Sequence, residues 1–258
     1  LDHLKSSHTA VLYRTHAQSR TLEEACIRQR IPYKIIGGIA FYERKEIKDL
    51  LAYLRLIVNP HDWLSFFRVI NCPPRGLGHK TQEDIREVCK QQPMLDYRHL
   101  IAHITTTNTH SDLKQSSLHT FVEMLSSYTA SDHAITILQK IIEHTNYYQY
   151  LRTSYEATEA EEKIENIREL ISAAHYLNTQ GITTIEHFLH EVALLQENIA
   201  KGNEQQTPVT FMTLHAAKGL EFNTVIISGL EEGRLPTARA LNDMNALEEE
   251  RRLLYVGI

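Results

Sequence analysis

Short apolar runs suited to buried strands stand near both ends of this 258-residue chain, and almost nothing but helical periodicity lies between them. Near the start, Ala10-Val11-Leu12-Tyr13 is such a run, and Ser19-Arg20-Thr21-Leu22-Glu23-Glu24-Ala25 follows as a polar helix start with carboxylates in its first turn. Pro32 ends that helix before a second run, Tyr33-Lys34-Ile35-Ile36, which Gly37-Gly38 closes. The same pattern resumes far downstream with Val209-Thr210-Phe211-Met212 and Val225-Ile226-Ile227. The strands on either side are expected to share one sheet. The expected class is therefore α/β, interrupted by a mainly α-helical insert, with boundaries at 1–42, 43–203 and 204–258.

Within the insert, Ile47, Leu50, Leu51, Leu54, Ile57 and Val58 recur at helical spacing until Asn59-Pro60 stops them. Similar stripes run through Ile135–Ile142, Ile164–Ala174 and Ile185–Leu195. Each reads as the core-facing side of a bundled helix. The Thr/Ser/Asn-rich stretch from Thr105 to Ser117 reads as a loop, and Lys201–Gln206 as a polar return linker.

Composition narrows the function classes. With 42% hydrophobic and 23% charged residues the chain suits a soluble globular protein, and no apolar run is long enough for a membrane helix. Three cysteines without a CxxC pair point to neither a disulfide framework nor a zinc site, and to a reducing, cytoplasmic setting. Fifteen histidines are scattered without ligand spacing, so no metal site is expected. A net charge of −5 argues against a strongly electrostatic nucleic-acid binder, yet leaves room for a narrow DNA-gripping groove.

Thr213-Leu214-His215-Ala216-Ala217-Lys218-Gly219-Leu220-Glu221-Phe222 follows the Val209–Met212 run directly. It could be an ordinary strand-to-helix turn with a polar face. It also has the makings of a ligand edge: open α/β sheets place ligands at strand carboxyl ends. Gly219 permits close backbone approach, Lys218 and Glu221 bring opposite charges there, and Glu221 can accept from a sugar hydroxyl.

This stretch resembles motif V of superfamily 1 DNA helicases of the UvrD, PcrA and Rep type. Four further segments resemble the same family in the same order: Val11–Arg20, Gly37–Asp49, Asn71–Gly78 and, like motif VI, Glu248–Ile258. Five ordered segments carry far more weight than one short pattern. The likeness spans the chain, although the helices between about Gln82 and Gln206 add little. It implies that the α/β part is the second RecA-like domain, with a parallel sheet, and that the insert is the mobile 2B domain. ATP with Mg²⁺ would bind between two RecA-like domains, the other supplied in cis, and cleft closure would step the protein along single-stranded DNA. Glu221, with Gly219 and Lys218, would meet the nucleotide. Arg14, Thr15, His16, Thr213 and His215 would face the single strand. Arg75, Gly76, Leu77, Gly78 and Thr81 would contact duplex DNA, because small residues let backbone N–H groups at a helix start approach phosphate. By itself Gly76-Leu77-Gly78 would pass for a turn.

Three positions depart from the family pattern: His16 stands where Asn is common, Ala40 where a basic residue is frequent, and Thr237 where His or Ser is usual. Glu248 and Arg252, four apart, are expected to pair on an exposed helix. No Walker A sequence, GxxxxGK[ST], occurs, and the aspartate-glutamate strand of Walker B is not found. The chain is thus expected to be a piece of a 3′-to-5′ helicase of repair or replication, ending within motif VI, carrying no bound cofactor and inactive alone. A helicase-nuclease subunit and a non-enzymatic DNA-binding regulatory module are the alternatives.

Overall fold

The computed structural model describes residues 9–92, 94–106, 112–200, 208–238 and 240–258. In chain order they form β1 (Thr9–Tyr13), α1 (Ser19–Gln29), β2 (Tyr33–Ile35), α2 (Lys45–Val58), α3 (Trp63–Val69) and α4 (His79–Gln91). Then come α5 (Tyr97–Thr106), α6 (Asp112–Ser126), α7 (Ala134–His144), α8 (Tyr147–Ser154), α9 (Ala157–Thr179) and α10 (Ile185–Ala200). β3 (Val209–Thr213), β4 (Thr224–Ile227) and α11 (Met244–Gly257) complete the described residues. The chain divides into two compact units, Leu1–Arg44 with Val192–Ile258, and Lys45–Glu191. The second division falls inside α10, upstream of the polar segment where composition placed it; 201–207 lie outside the described residues.

The first unit is built on a four-stranded sheet of order β2-β3-β1-β4. Every neighbouring pair is parallel, with Tyr13 opposite Thr213, Leu12 opposite Ile227 and Ile35 opposite Phe211. Strands from both ends of the sequence thus alternate in one sheet. Alternate residues point to opposite faces. On one face Ala10, Leu12, Met212 and Leu214 form a core with Leu253 of α11; on the other, Val11, Tyr13 and Phe211 pack with Leu22 and Cys26 of α1. A helix therefore covers each face. Gly257 lets α11 lie close, since a Cβ there would come 2.5 Å from Leu214 Cδ2. Because all four strands run the same way, their carboxyl ends share one edge.

The second unit is helical. α2 is its central rod, with Ile47, Leu50, Leu51, Leu54 and Ile57 all buried, as their spacing demands. Its polar core centres on Asp49, which is bonded by Arg68 Nε at 2.7 Å and by the Tyr147 hydroxyl at 2.8 Å. Of the loop expected from Thr105 to Ser117, residues 105–106 end α5 and 112–117 begin α6, while 107–111 lie outside the described residues. Leu118, Phe121 and Leu125 explain the difference: they are buried at helical spacing, and that stripe outweighs the local excess of hydroxyl residues.

Candidate functional site

The carboxyl edge of the sheet gathers residues from both ends of the sequence. Directly after β1 the chain turns sharply, and Gln18 Oε1 accepts from the backbone N–H of Arg14 at 2.9 Å and of Thr15 at 3.2 Å. Thr15 precedes a single 3₁₀ turn, His16–Gln18. The Arg14 guanidinium grips Glu250 of α11, with Nε 3.1 Å from both carboxylate oxygens and Nη2 2.9 Å from Oε1. Thr237 Oγ1 donates to the same Oε1 at 3.2 Å. Arg14 is thus engaged within the unit rather than held out toward a ligand. The expected Glu248–Arg252 pair is not formed. Glu248 pairs with Arg251 at 2.8 Å and Glu249 with Arg252 at 3.6 Å, both three apart, while Glu250 turns inward.

His16 is half-buried. Its ring meets Tyr13 edge-on with centroids 5.8 Å apart, and Gly38 lies so close that a Cβ would overlap the imidazole. Burial, and then the Arg44 charge, hold its pKa below the ordinary 6.5. Protonation therefore favours the unfolded chain. The stability that His16 contributes is complete above its unfolded pKa and is lost as pH falls through the lower folded value. Urea titrations across that acid limb are expected to give a shallower pH dependence for His16→Gln than for the unaltered chain. Parallel curves would contradict the assignment.

A polar network missed in the sequence fixes the strand-to-helix loops of this edge. Glu23 of α1, 3% exposed, accepts from Ser19 Oγ at 2.5 Å and from the Phe41 N–H at 3.1 Å. Arg44 lies 3.7 Å from Glu23, and its Nη2 donates to His16 O at 2.9 Å and to Ser19 Oγ at 2.7 Å. The segment after Gly37-Gly38 is thereby pinned to α1. The only hint in sequence was the basic residue following Gly-Gly-x-x-Phe, which by itself reads as a surface charge.

At the end of β3, Thr213 O accepts from Ala216 N at 3.0 Å and from Ala217 N at 3.1 Å, so the chain leaves the strand in tight turns. Leu214 N donates to Tyr13 O at 2.9 Å, which keeps this exit beside that of β1. Leu214 is buried below it, whereas His215, Lys218, Gly219 and Glu221 are exposed and Thr213 is half-buried. Gly219 sits at φ +83°, where a side chain would be strained, and nothing lies within 4 Å of where its Cβ would be. The edge therefore offers a carboxylate, an ammonium and open backbone.

In the helical unit, the segment joining α3 to α4 holds the other candidates. Gly76, at φ +73°, and Gly78, the residue preceding α4, are exposed with open space around them. Leu77 at 1% and Thr81 at 3% exposure are buried, and Arg75 is half-buried and turned inward. Among the described residues no cluster of His, Cys, Asp or Glu could hold a metal ion, and no helix is long and apolar enough to cross a membrane.

A parallel sheet with a polar carboxyl edge, interrupted in sequence by a helical unit, defines an α/β lobe carrying an inserted domain. Residues 2–258 match the model of the UvrD-like helicase C-terminal domain, and the chain belongs to that family. It is 38% identical to DNA helicase II of Haemophilus influenzae over 96% of its own length, and 38% identical to ATP-dependent DNA helicase PcrA of Bacillus subtilis over 98%. It is 37% identical to DNA helicase II of Escherichia coli over 96%. In each case the chain spans about 35% of the relative's length.

Proposed function

We propose that this chain is one motor lobe, with its helical insert, of an ATP-dependent 3′-to-5′ DNA helicase that works in repair or replication. The observation that carries the reading is the carboxyl edge. Parallel pairing of β1 with β3 sets Arg14, Thr15 and His16 beside Thr213 and His215, while Lys218, Gly219 and Glu221 stand exposed on the same edge. The likeness to DNA helicase II and to ATP-dependent DNA helicase PcrA supports DNA and ATP as the substrate classes. On this reading Glu221 accepts a ribose hydroxyl and open Gly219 lets the nucleotide approach. Thr15, His16, Thr213 and His215 border the single strand, with Arg14 holding that border in shape through Glu250. Gly76 and Gly78 present backbone to duplex phosphates, Leu77 and Thr81 anchor that loop from below, and Arg75 lies behind it. ATP supplies a phosphoryl group for transfer, and its Mg²⁺ and phosphates would be held by a second lobe bearing Walker A and B sequences, which these 258 residues lack.

The lobe alone is expected to show no ATP turnover and only weak single-strand binding, since both sites are shared with the partner lobe and a net charge of −5 adds little general attraction. Joined in cis to that lobe, it is expected to become a single-strand-stimulated ATPase. Steady turnover by the 258 residues alone, or nanomolar single-strand binding at physiological salt, would refute the shared-cleft reading.

A further inference from the structure

We infer that Arg75 is a positioning residue that shapes the duplex-contact loop from behind and does not itself touch phosphate. The inference rests on the duplex contact proposed for Gly76-Leu77-Gly78. In sequence, an arginine beside two glycines and a helix start reads as a phosphate ligand. Its surroundings assign it elsewhere.

Arg75 Nη1 lies within donor range of three backbone carbonyls: Val69 O at 2.7 Å, Ile70 O at 3.1 Å and Pro73 O at 3.3 Å. Val69 and Ile70 end α3, so two of these are terminal carbonyls that the helix leaves without an internal partner. A cation there also meets the negative end of the helix. Nη2 donates to the Tyr53 hydroxyl at 2.6 Å, and that hydroxyl donates onward to Cys72 O at 2.6 Å. The guanidinium plane is backed by aromatic rings, with Cζ 4.8 Å from the Phe121 centroid and 5.9 Å from that of Tyr53. Both rings are buried, so the charged group is walled in on its ring side.

Asn71 works from within the same loop. Its Oδ1 accepts from the Arg75 N–H at 2.7 Å and the Leu77 N–H at 3.3 Å, and its Nδ2 donates to Leu77 O at 2.9 Å. Gln82 of α4 donates to Leu77 O as well, at 2.9 Å. Leu77 is thus both plugged into the core and bracketed by side-chain amides. With the loop held in this way, Gly76 and Gly78 are exposed, as is Pro74, and nothing lies within 4 Å of where a Cβ would stand on either glycine. The loop offers backbone; Arg75 and Asn71 give it its shape.

The discriminating substitution is Arg75→Lys. A lysine keeps the charge but lacks the planar fork and the stacking surface, so it cannot serve these carbonyls, Tyr53 and Phe121 together. A phosphate ligand would tolerate it; a positioning residue would not. The test uses the 258-residue chain at low ionic strength and a fluorescent DNA hairpin with a single-stranded tail as probe, with affinity followed against salt. Arg75→Lys and Arg75→Ala are expected to weaken binding alike, by about tenfold, with the dependence of log affinity on log salt as in the unaltered chain. Asn71→Ala, which changes no charge, is expected to do the same, and all three should speed hydrogen exchange at the Leu77 amide. Tyr53→Phe removes one hydroxyl, the acceptor for Arg75 Nη2 and the donor to Cys72 O, and serves if the arginine variants fail to fold; a smaller loss of affinity is expected. Near-normal binding by Arg75→Lys, with Arg75→Ala alone weak and its salt slope lower by about one, would make Arg75 a phosphate ligand and overturn the inference. So would unaltered affinity in Tyr53→Phe and Asn71→Ala. If the unaltered chain ignores the hairpin at low salt, the duplex contact itself falls, and the positioning role falls with it.

Discussion

Arg44→Ala is expected to destabilise the sheet-bearing unit by about 3–5 kcal/mol, the scale for removing one partner of a buried ion pair. Arg44 is 6% and Glu23 3% exposed, so neither can regain water when the other is lost. In the intact chain Glu23 is satisfied by Ser19, by the Phe41 N–H and by the Tyr33 hydroxyl at 3.3 Å, with the Arg44 charge 3.7 Å away. Without the guanidinium those hydrogen bonds remain, but the carboxylate loses its counter-charge in a desolvated site. Ile39 O loses the Arg44 Nε donor at 3.2 Å, and His16 O loses one of its donors while keeping Ser19 Oγ at 2.8 Å. The cost should depend on the mismatch more than on the pair. A Glu23→Gln/Arg44→Met double variant, which buries no net charge, is therefore expected to recover much of the loss. Urea denaturation of the four corners of this cycle gives the coupling. A single-variant cost below about 1 kcal/mol would mean that the loop is held by its apolar contacts with Phe41 and Tyr42 instead.

The sheet was legible because its signals are local. Ala10–Tyr13 and Val209–Met212 are continuous apolar runs, and Pro32 with Gly37-Gly38 punctuates the second strand, so β1, β2 and β3 lie within a residue of expectation. The α2 stripe was equally plain. Pairings across the chain were not. Arg14 and Glu250 stand 236 residues apart, and no periodicity in either segment points to the other. For Glu248-Glu249-Glu250-Arg251-Arg252 the sequence allows three-apart and four-apart pairs about equally. Which one forms is decided by the inward turn of Glu250 toward Arg14, a tertiary fact. The loop reading fails at 112–117, where composition is outweighed by the Leu118, Phe121 and Leu125 spacing of the same helix. Charge misleads in a systematic way here. Arg14 and Arg75 look like ligand-facing cations in sequence and Arg44 like a surface charge, yet each has its guanidinium near a carboxylate or a carbonyl of its own unit. The residues singled out in the turn after β3 are less hidden by tertiary partners: Gly219 has a positive φ, and Lys218 and Glu221 are exposed.

Glu221→Ala, introduced into a polypeptide that joins this lobe to one bearing Walker A and B sequences, is expected to lower kcat/KM for ATP by about ten- to a hundredfold. That range corresponds to the roughly 1.5–3 kcal/mol carried by a hydrogen bond to a charged group. Loss of an exposed carboxylate should leave the fold intact, so melting temperature is expected to be unchanged and cannot explain the deficit. The substrate provides the sharper control. If Glu221 accepts a ribose hydroxyl, the unaltered enzyme should discriminate against an ATP analogue lacking the ribose hydroxyls, and Glu221→Ala should lose that discrimination while hydrolysing the analogue as well as before. Glu221→Gln retains an acceptor without the charge and should fall between the two. A variant equally impaired on ATP and on the analogue would place Glu221 outside the sugar contact and move its role to the DNA side of the same edge. Unaltered kinetics on both would remove it from the site altogether. The exposed turn after β3 would then be left with Lys218 and open Gly219 as its claims on the nucleotide.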